Sequence, residues 1–206
     1  MHAPDLVLFD MNDVLCRYDK AGRIAALATL TRHSAAEVEA AIWGSGFEDD
    51  ADSGAISAAE YLAGFGERLA FPLTLEQWTD CLADALEPID DTLDLARRVG
   101  QQCHVALFTN NNFLVLQQAP VLVPEVYAVF GPRFHVSAEY GRRKPDPRAY
   151  TECLARLGFA ANRTLFIDDS ASNVAGAIEA GLRAHRFTDP QGLADELHAQ
   201  DCLPRL

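Results

Sequence analysis

Three short apolar runs in this chain each end on a side chain that can hold charge or bind an oxyanion. Leu6-Val7-Leu8-Phe9 ends at Asp10, Val105-Ala106-Leu107-Phe108 at Thr109, and Thr164-Leu165-Phe166-Ile167 at the pair Asp168-Asp169. A continuous apolar run of this length suits a strand buried on both faces, as in a parallel sheet. In open α/β sheets, ligands bind beyond the carboxyl ends of the strands, so the three polar ends are expected to converge on one crevice. Carboxylates gathered there repel one another. A hard divalent cation with oxygen ligands, Mg2+, relieves that repulsion. Gly141-Arg142-Arg143-Lys144-Pro145-Asp146-Pro147 adds positive charge to an otherwise acidic chain. A metal ion beside a lysine makes a site for an anion.

The elements that must position these residues are also legible. Weaker strand candidates are Tyr127 to Phe130, Phe134 to Ser137 and Arg183 to Phe187. Ser34-Ala35-Ala36-Glu37 and Ser57-Ala58-Ala59-Glu60 are capping-box patterns, and Thr74-Leu75-Glu76-Gln77 starts a third helix. Asp146-Pro147 reads as an N-cap followed by proline at the first helical position, with Gly158 as the stop. Asn173 to Glu179 reads as another helix, closed by Gly181. Strands and helices alternate over residues 1–15 and again from about 90 onward, which implies a βαβ sandwich. Residues 17–88 read as wholly helical, a subdomain inserted after the first strand. The expected organisation is therefore a core of residues 1–16 and 89–206 with a helical insertion at 17–88.

Composition narrows the function. The chain has 206 residues, 49% of them hydrophobic, which is enough apolar surface to offset chain entropy and excludes whole-chain disorder. No apolar run approaches the roughly 20 residues that span a bilayer. The opening Met1-His2-Ala3-Pro4-Asp5 lacks the basic and apolar regions of a secretory signal, so a cytoplasmic location is expected, with no membrane partner. A net charge of −13 repels phosphate backbones and argues against a nucleic-acid partner, while leaving room for a small phosphorylated ligand in a local positive pocket. The five cysteines are scattered without a C-x-x-C pair, which points to free thiols. The six histidines show no ligand spacing either. Glu48-Asp49-Asp50-Ala51-Asp52 reads as a solvated acidic loop. A monomer and a homodimer fit equally well.

Taken together, Asp10-Met11-Asn12-Asp13-Val14-Leu15, Thr109-Asn110, Lys144-Pro145-Asp146-Pro147 and Asp168-Asp169-Ser170-Ala171-Ser172-Asn173 resemble the ordered motifs of the haloacid dehalogenase-like hydrolase superfamily. Within it they resemble most the sugar-phosphate phosphatase and epoxide-hydrolase phosphatase-domain branch. The resemblance implies a Rossmann-like three-layer α/β/α sandwich with a parallel sheet, and a small helical cap inserted after strand 1. It implies a Mg2+-dependent phosphatase acting on a small phosphorylated metabolite. Asp10 would be the nucleophile, forming an aspartyl-phosphate that water later hydrolyses. Asp10, Asn12, Asp168 and Asp169 would hold the metal. Met11, Asn12, Thr109, Asn110 and Lys144 would bind the phosphoryl group, with Lys144 neutralising it and keeping Asp10 ionised.

One position departs from the family pattern. Its phosphatases usually carry aspartate two residues after the nucleophile, as the acid that protonates the leaving oxygen. Here the residue is Asn12, which can donate a hydrogen bond but cannot deliver a proton at neutral pH. The adjacent Asp13 is not expected to replace it, because neighbouring residues point in different directions. A good leaving group, such as an anomeric sugar phosphate, would need no such acid. Alternatives are a haloacid dehalogenase, which needs neither acid nor metal, and a catalytically weak phospho-ligand-binding relative. Several residues also have plainer readings. Arg142 and Arg143 are expected in solvent, and Arg17, Tyr18 and Asp19 as linker residues. Trp43, Phe47 and Trp78 are expected in the core of the insertion, and Asn173 either as a supporting hydrogen bond or in direct contact with the ligand.

Overall fold

The computed structural model describes residues 3–203, so Met1 and His2 of the opening segment and residues 204–206 of the expected core lie outside it. In chain order, β1 (Leu6–Phe9) and β2 (Cys16–Tyr18) precede five helices: α1 (Lys20–Thr31), α2 (Ala35–Ile42), α3 (Phe47–Asp52), α4 (Ala58–Arg68) and α5 (Leu75–Ala83). Then follow β3 (Leu86–Pro88), α6 (Asp90–Val99), β4 (His104–Thr109), α7 (Phe113–Leu122), α8 (Pro124–Phe130) and β5 (Phe134–Val136). The chain continues through α9 (Pro147–Leu157), β6 (Thr164–Asp168), α10 (Ala171–Glu179), β7 (Arg183–Arg186) and α11 (Pro190–Ala199).

The main sheet has five parallel strands in the order β5-β4-β1-β6-β7. The three strongest apolar runs occupy its centre, where both faces are covered and continuous hydrophobicity is required. Alternation then divides the side chains. Val7, Phe9, Val105, Leu107, Leu165 and Ile167 pack on one face against Leu93 and Ala96 of α6, Phe130 of α8 and Leu193 of α11. Leu6, Leu8, Ala106, Phe108 and Phe166 pack on the other against Tyr150, Cys153 and Leu154 of α9 and Ala177 of α10. This is the expected Rossmann-like α/β/α sandwich. Register sets the site: Phe9 pairs with both Leu107 and Ile167, so Asp10 and Asp168 emerge side by side one residue later.

Two expectations are corrected. Tyr127 to Phe130 is not a strand but the end of α8. Pro124 starts that helix, and Val126 and Phe130 form a buried stripe at four-residue spacing. Residues 17–88 are not wholly helical either. β2 and β3 pair antiparallel, Cys16 with Pro88, Arg17 with Glu87 and Tyr18 with Leu86, forming a ribbon where the chain leaves and re-enters the core. Three-residue strands are too short to show a periodicity. Between them the helices begin as their caps dictate. Ser34, Ser57 and Thr74 each complete a capping box, a motif whose N-cap residue alone contributes about 1 kcal/mol. Their apolar faces meet in an aromatic cluster in which Phe47 stacks on Tyr61 at 5.2 Å and Tyr61 meets Trp78 edge-on at 5.9 Å.

Gly176 marks the tightest approach in the core. It brings α10 against the carbonyl of Pro145, and a Cβ there would overlap that backbone oxygen. Backbone cannot swing aside as a side chain can, so Gly176→Ala is expected to displace the Lys144-Pro145 loop. We expect a loss of about 1–3 kcal/mol in urea unfolding, the usual cost of overpacking.

Candidate active site

Asp10 leaves the end of β1 with its backbone held by an N–H donated to Ile167 O at 2.9 Å. Asp168 ends β6. Lys144, in the loop before α9, inserts between them: its Nζ lies 2.8 Å from Asp10 Oδ1 and 2.7 Å from Asp168 Oδ2. The lysine is 3% exposed and its ammonium lies 5.1 Å from the centre of the Phe166 ring. Burial alone would lower its pKa, but the two carboxylates outweigh burial and raise it, so the ammonium stays charged. A buried ion stripped of its partner costs about 3–5 kcal/mol, which ties these three residues to one arrangement.

The surroundings hold that arrangement. Asn110 Nδ2 donates to Lys144 O at 2.9 Å and its Oδ1 accepts from Lys144 N at 2.8 Å. The Asn110 side chain therefore pins the lysine's backbone. Its amide atoms are consumed by a loop 34 positions away in sequence. Asp168 accepts from Ser170 N at 2.9 Å, and Asn173 Nδ2 lies 3.0 Å from both of its oxygens. Asn173 is thus a support for Asp168. Thr109 is buried at the end of β4, and its Oγ1 accepts from Asn111 Nδ2 at 3.0 Å.

One ammonium does not balance this group of acids. Carboxylate oxygens of Asp10, Asp168 and Asp169 lie within 4.8 Å of one another. Asp10 Oδ1 is buried and, beyond its ionic contact with Lys144, accepts no directed hydrogen bond. Burial and then the charge of Asp168 raise the Asp169 carboxyl above its ordinary value. An all-oxygen cluster short of positive charge fits a hard divalent cation. Among the described residues, these three acids are the group with that geometry.

Met11 is packed into the core with an edge on the crevice floor, and Asn12 beside it is half-buried. The thiol of Cys16 donates to Asn12 Oδ1 at 3.8 Å. Asp13 adopts a left-handed backbone, φ 56°, is exposed, and accepts from Tyr18 N at 3.2 Å. It closes the turn into β2.

Above Met11 and Asn12 lies a cavity of about 210 Å3 walled by the inserted helices. Residues expected elsewhere line it. Arg143, expected in solvent, forms an ion pair with Asp49. Tyr18, expected as a linker residue, accepts from Arg23 Nη1 at 3.3 Å. Trp43, expected in the core, presents its ring to the cavity while Phe47 and Trp78 are buried. Glu48, expected in a solvated loop, lies on α3. The acidic run forms a helix because Gly46 supplies the left-handed entry and Phe47 and Ala51 bury one face. Ser137 Oγ donates to Asp52 O at 2.6 Å, docking α3 on the core. Burial, reinforced by Glu48 and Asp49, raises the Asp52 carboxyl to about 8 against the pull of Arg143 and Asn112.

Sequence reading missed Arg23, Glu48 and Asp52 as site residues. A signal existed for Arg23: it shares the buried face of α1 with Leu27 and Thr31 at four-residue steps, an arginine on an otherwise inward-facing stripe.

The family model of haloacid dehalogenase-like hydrolases matches residues 4–181. The chain belongs to this family. A phosphatase of Mycobacterium tuberculosis is 40% identical over 97 residues, covering 45% of this hydrolase and 42% of that relative, so the match spans less than half of either chain. The D-ribitol-5-phosphate phosphatase of Bacteroides thetaiotaomicron is 24% identical over 196 residues, 92% of this hydrolase and 93% of the relative. A HAD family enzyme of the same organism, solved with magnesium and inorganic phosphate, superposes with a TM-score of 0.74 at 22% identity. That superposition covers 90% of this hydrolase and 94% of the other chain and shows a shared fold. No single helix among the described residues is long and apolar enough to cross a membrane.

Burial, opposed by Lys144 and reinforced by Asp168, raises Asp10 from the ordinary 3.8 to about 7. The folded protein therefore holds more protons than the unfolded chain between those values, and stability falls as pH rises through the window. Thermal melts without divalent cations should show this fall in the wild type and a shallower one in Asp10→Asn. Added Mg2+ should restore the wild type at the upper end.

Proposed function

We propose that this hydrolase is a Mg2+-dependent phosphatase of small phosphorylated metabolites, of the sugar-phosphate kind, and that Asp10 carries the phosphoryl group between substrate and water. The observation that carries this reading is the buried contact of Lys144 with both Asp10 and Asp168, beside a third carboxylate. Such a site neutralises a dianionic group and presents one carboxylate oxygen for attack. The names of the mycobacterial and Bacteroides relatives agree with it.

Asp10, Asp168, Asp169 and the Asn12 backbone carbonyl would hold the ion, which supplies charge compensation for the phosphoryl oxygens. The remaining work belongs to the protein. Lys144 and Thr109 orient the phosphoryl group against Asp10. A carboxylate oxygen of Asp10 attacks phosphorus, the ester P–O bond breaks, and the leaving oxygen departs with its electron pair. Water then attacks phosphorus, releases inorganic phosphate, and regenerates the Asp10 carboxylate. The Asn12 amide would donate a hydrogen bond to the leaving oxygen but supplies no proton. Good leaving groups, such as anomeric sugar phosphates, suit this arrangement. The inserted helices, residues 17–88 in our division of the chain, act as a cap that excludes water and selects the substrate.

The acid cluster speaks against carbon–halogen displacement, for which three gathered carboxylates serve no purpose. The intact set of nucleophile, lysine and acids speaks against a purely binding role.

Purified protein with Mg2+ should release phosphate from a panel of sugar phosphates and lose this activity with a chelator. Asp10→Asn should reduce turnover by several orders of magnitude. Asn12→Asp should raise turnover on esters with poor leaving groups by roughly tenfold or more, in line with general-acid contributions. Absence of phosphate release across a broad panel would end this reading.

A further inference from the structure

Arg23 lines the cavity with two buried polar atoms unspent; Arg143 has one, its Nε, on a guanidinium already paired with Asp49. Arg23 is 5% exposed, and two of its guanidinium nitrogens, Nε and Nη2, have no hydrogen-bond partner. Its third, Nη1, reaches Tyr18 Oη at 3.3 Å and Glu48 Oε1 at 3.8 Å. The guanidinium lies 5.4 Å from the centre of the Trp43 ring and 5.7 Å from those of Phe65 and Trp78. A buried donor left unpaired has lost its hydration without compensation, the more so when charged. Two on one side chain, in a residue lining the cavity above Asn12, call for a ligand that accepts hydrogen bonds.

The charges around it select the kind of acceptor. Glu48 compensates the guanidinium and is itself held by Tyr61 Oη at 2.7 Å. Asp49 and Asp52 line the same cavity. A second anionic group on the substrate would meet the charges of Glu48 and Asp49 as well as those of Arg23 and Arg143, the last already paired with Asp49. Hydroxyl groups suit both signs of charge: each accepts from a guanidinium N–H and donates to a carboxylate. The Trp43 ring and Leu82 provide apolar wall for the carbon face of such a molecule. The volume of about 210 Å3 falls below the usual range for drug-sized ligands and favours a compact group.

We propose that Arg23, with Glu48 and Asp52 beside it, forms a second binding site that takes the uncharged, hydroxyl-rich end of the substrate, a sugar or polyol chain, while its phosphate lies at Asp10. The assignment rests on the phosphatase reading for the position of the phosphate. The polar groups of this site donate and accept in pairs, so it discriminates against esters carrying a carboxylate or second phosphate and against esters lacking hydroxyls.

The test uses the full chain and three probes: a hexitol phosphate, phosphoglycolate and p-nitrophenyl phosphate. Wild type should prefer the hexitol ester to phosphoglycolate. Arg23→Met should lower the ratio of kcat/KM for the hexitol ester to that for p-nitrophenyl phosphate at least tenfold, with the loss mainly in KM. Equal losses on both esters would make Arg23 a packing residue and overturn the proposal, as would an unchanged ratio. Glu48→Gln keeps an acceptor for Tyr61 and removes the compensating charge, so it should shift preference at least threefold towards phosphoglycolate. An unshifted preference counts against the proposal, and this variant decides the matter if Arg23→Met does not fold. A separate measurement needs no turnover. Tryptophan fluorescence of Asp10→Asn, titrated with the hexitol ester, should report saturable binding weakened at least tenfold by adding Arg23→Met. If no ester is hydrolysed, the phosphatase reading fails, and this titration still decides the role of Arg23: equal binding with and without the arginine overturns it.

Discussion

A buried ammonium group shared by two carboxylates organises this protein. Lys144 is almost wholly removed from water and survives as a cation only because Asp10 and Asp168 lie at hydrogen-bonding distance. Each neighbouring feature keeps that contact short. β1 and β6 pair in a register that delivers the two acids together. Asn110 fastens the backbone of the lysine, and Asn173 orients Asp168. Gly176 lets α10 press against the loop that carries the lysine. With Asp169 close by, the site holds more negative than positive charge, and that imbalance makes it a place for a cation and then for an anion.

The inserted helices repeat the same logic at lower intensity. Arg23 is buried among aromatic rings, offset by Glu48, and incompletely satisfied. α3 ties this second polar group to the core through the Asp49–Arg143 ion pair and the Ser137 hydrogen bond. Residues at rigid strand ends thus provide reactive groups, and helices resting on the core shape the space beyond them. This division lets one framework keep its chemistry while the insertion varies.

Much of the framework was legible because its signals are local. The three central strands are unbroken apolar runs, and the helix starts at Ser34, Ser57, Thr74 and Asp146 are side chains that satisfy nearby N–H groups. Signals that depend on distant partners were not legible. The β2–β3 ribbon pairs residues about 70 positions apart, and neither strand is long enough to alternate visibly. Tyr127 to Phe130 reads as a strand until Pro124 is seen to start a helix. The acidic run at 48–52 reads as solvated because its buried partners, Arg23 and Tyr61, come from other helices.

By itself, then, the sequence determined which residues could do chemistry and that Asp10, Thr109 and Asp168 would stand at strand ends, because apolar runs and helix caps act through neighbours along the chain. It also determined that Asn12 cannot supply a proton, which is a property of the amide group. Only tertiary structure decided that Asn110 serves the backbone of Lys144, that Asp13 accepts from the backbone of Tyr18, and that Arg23 lines the same cavity as Asn12. Those outcomes depend on which polar atoms meet when distant segments pack, and burial sets the energy of that meeting.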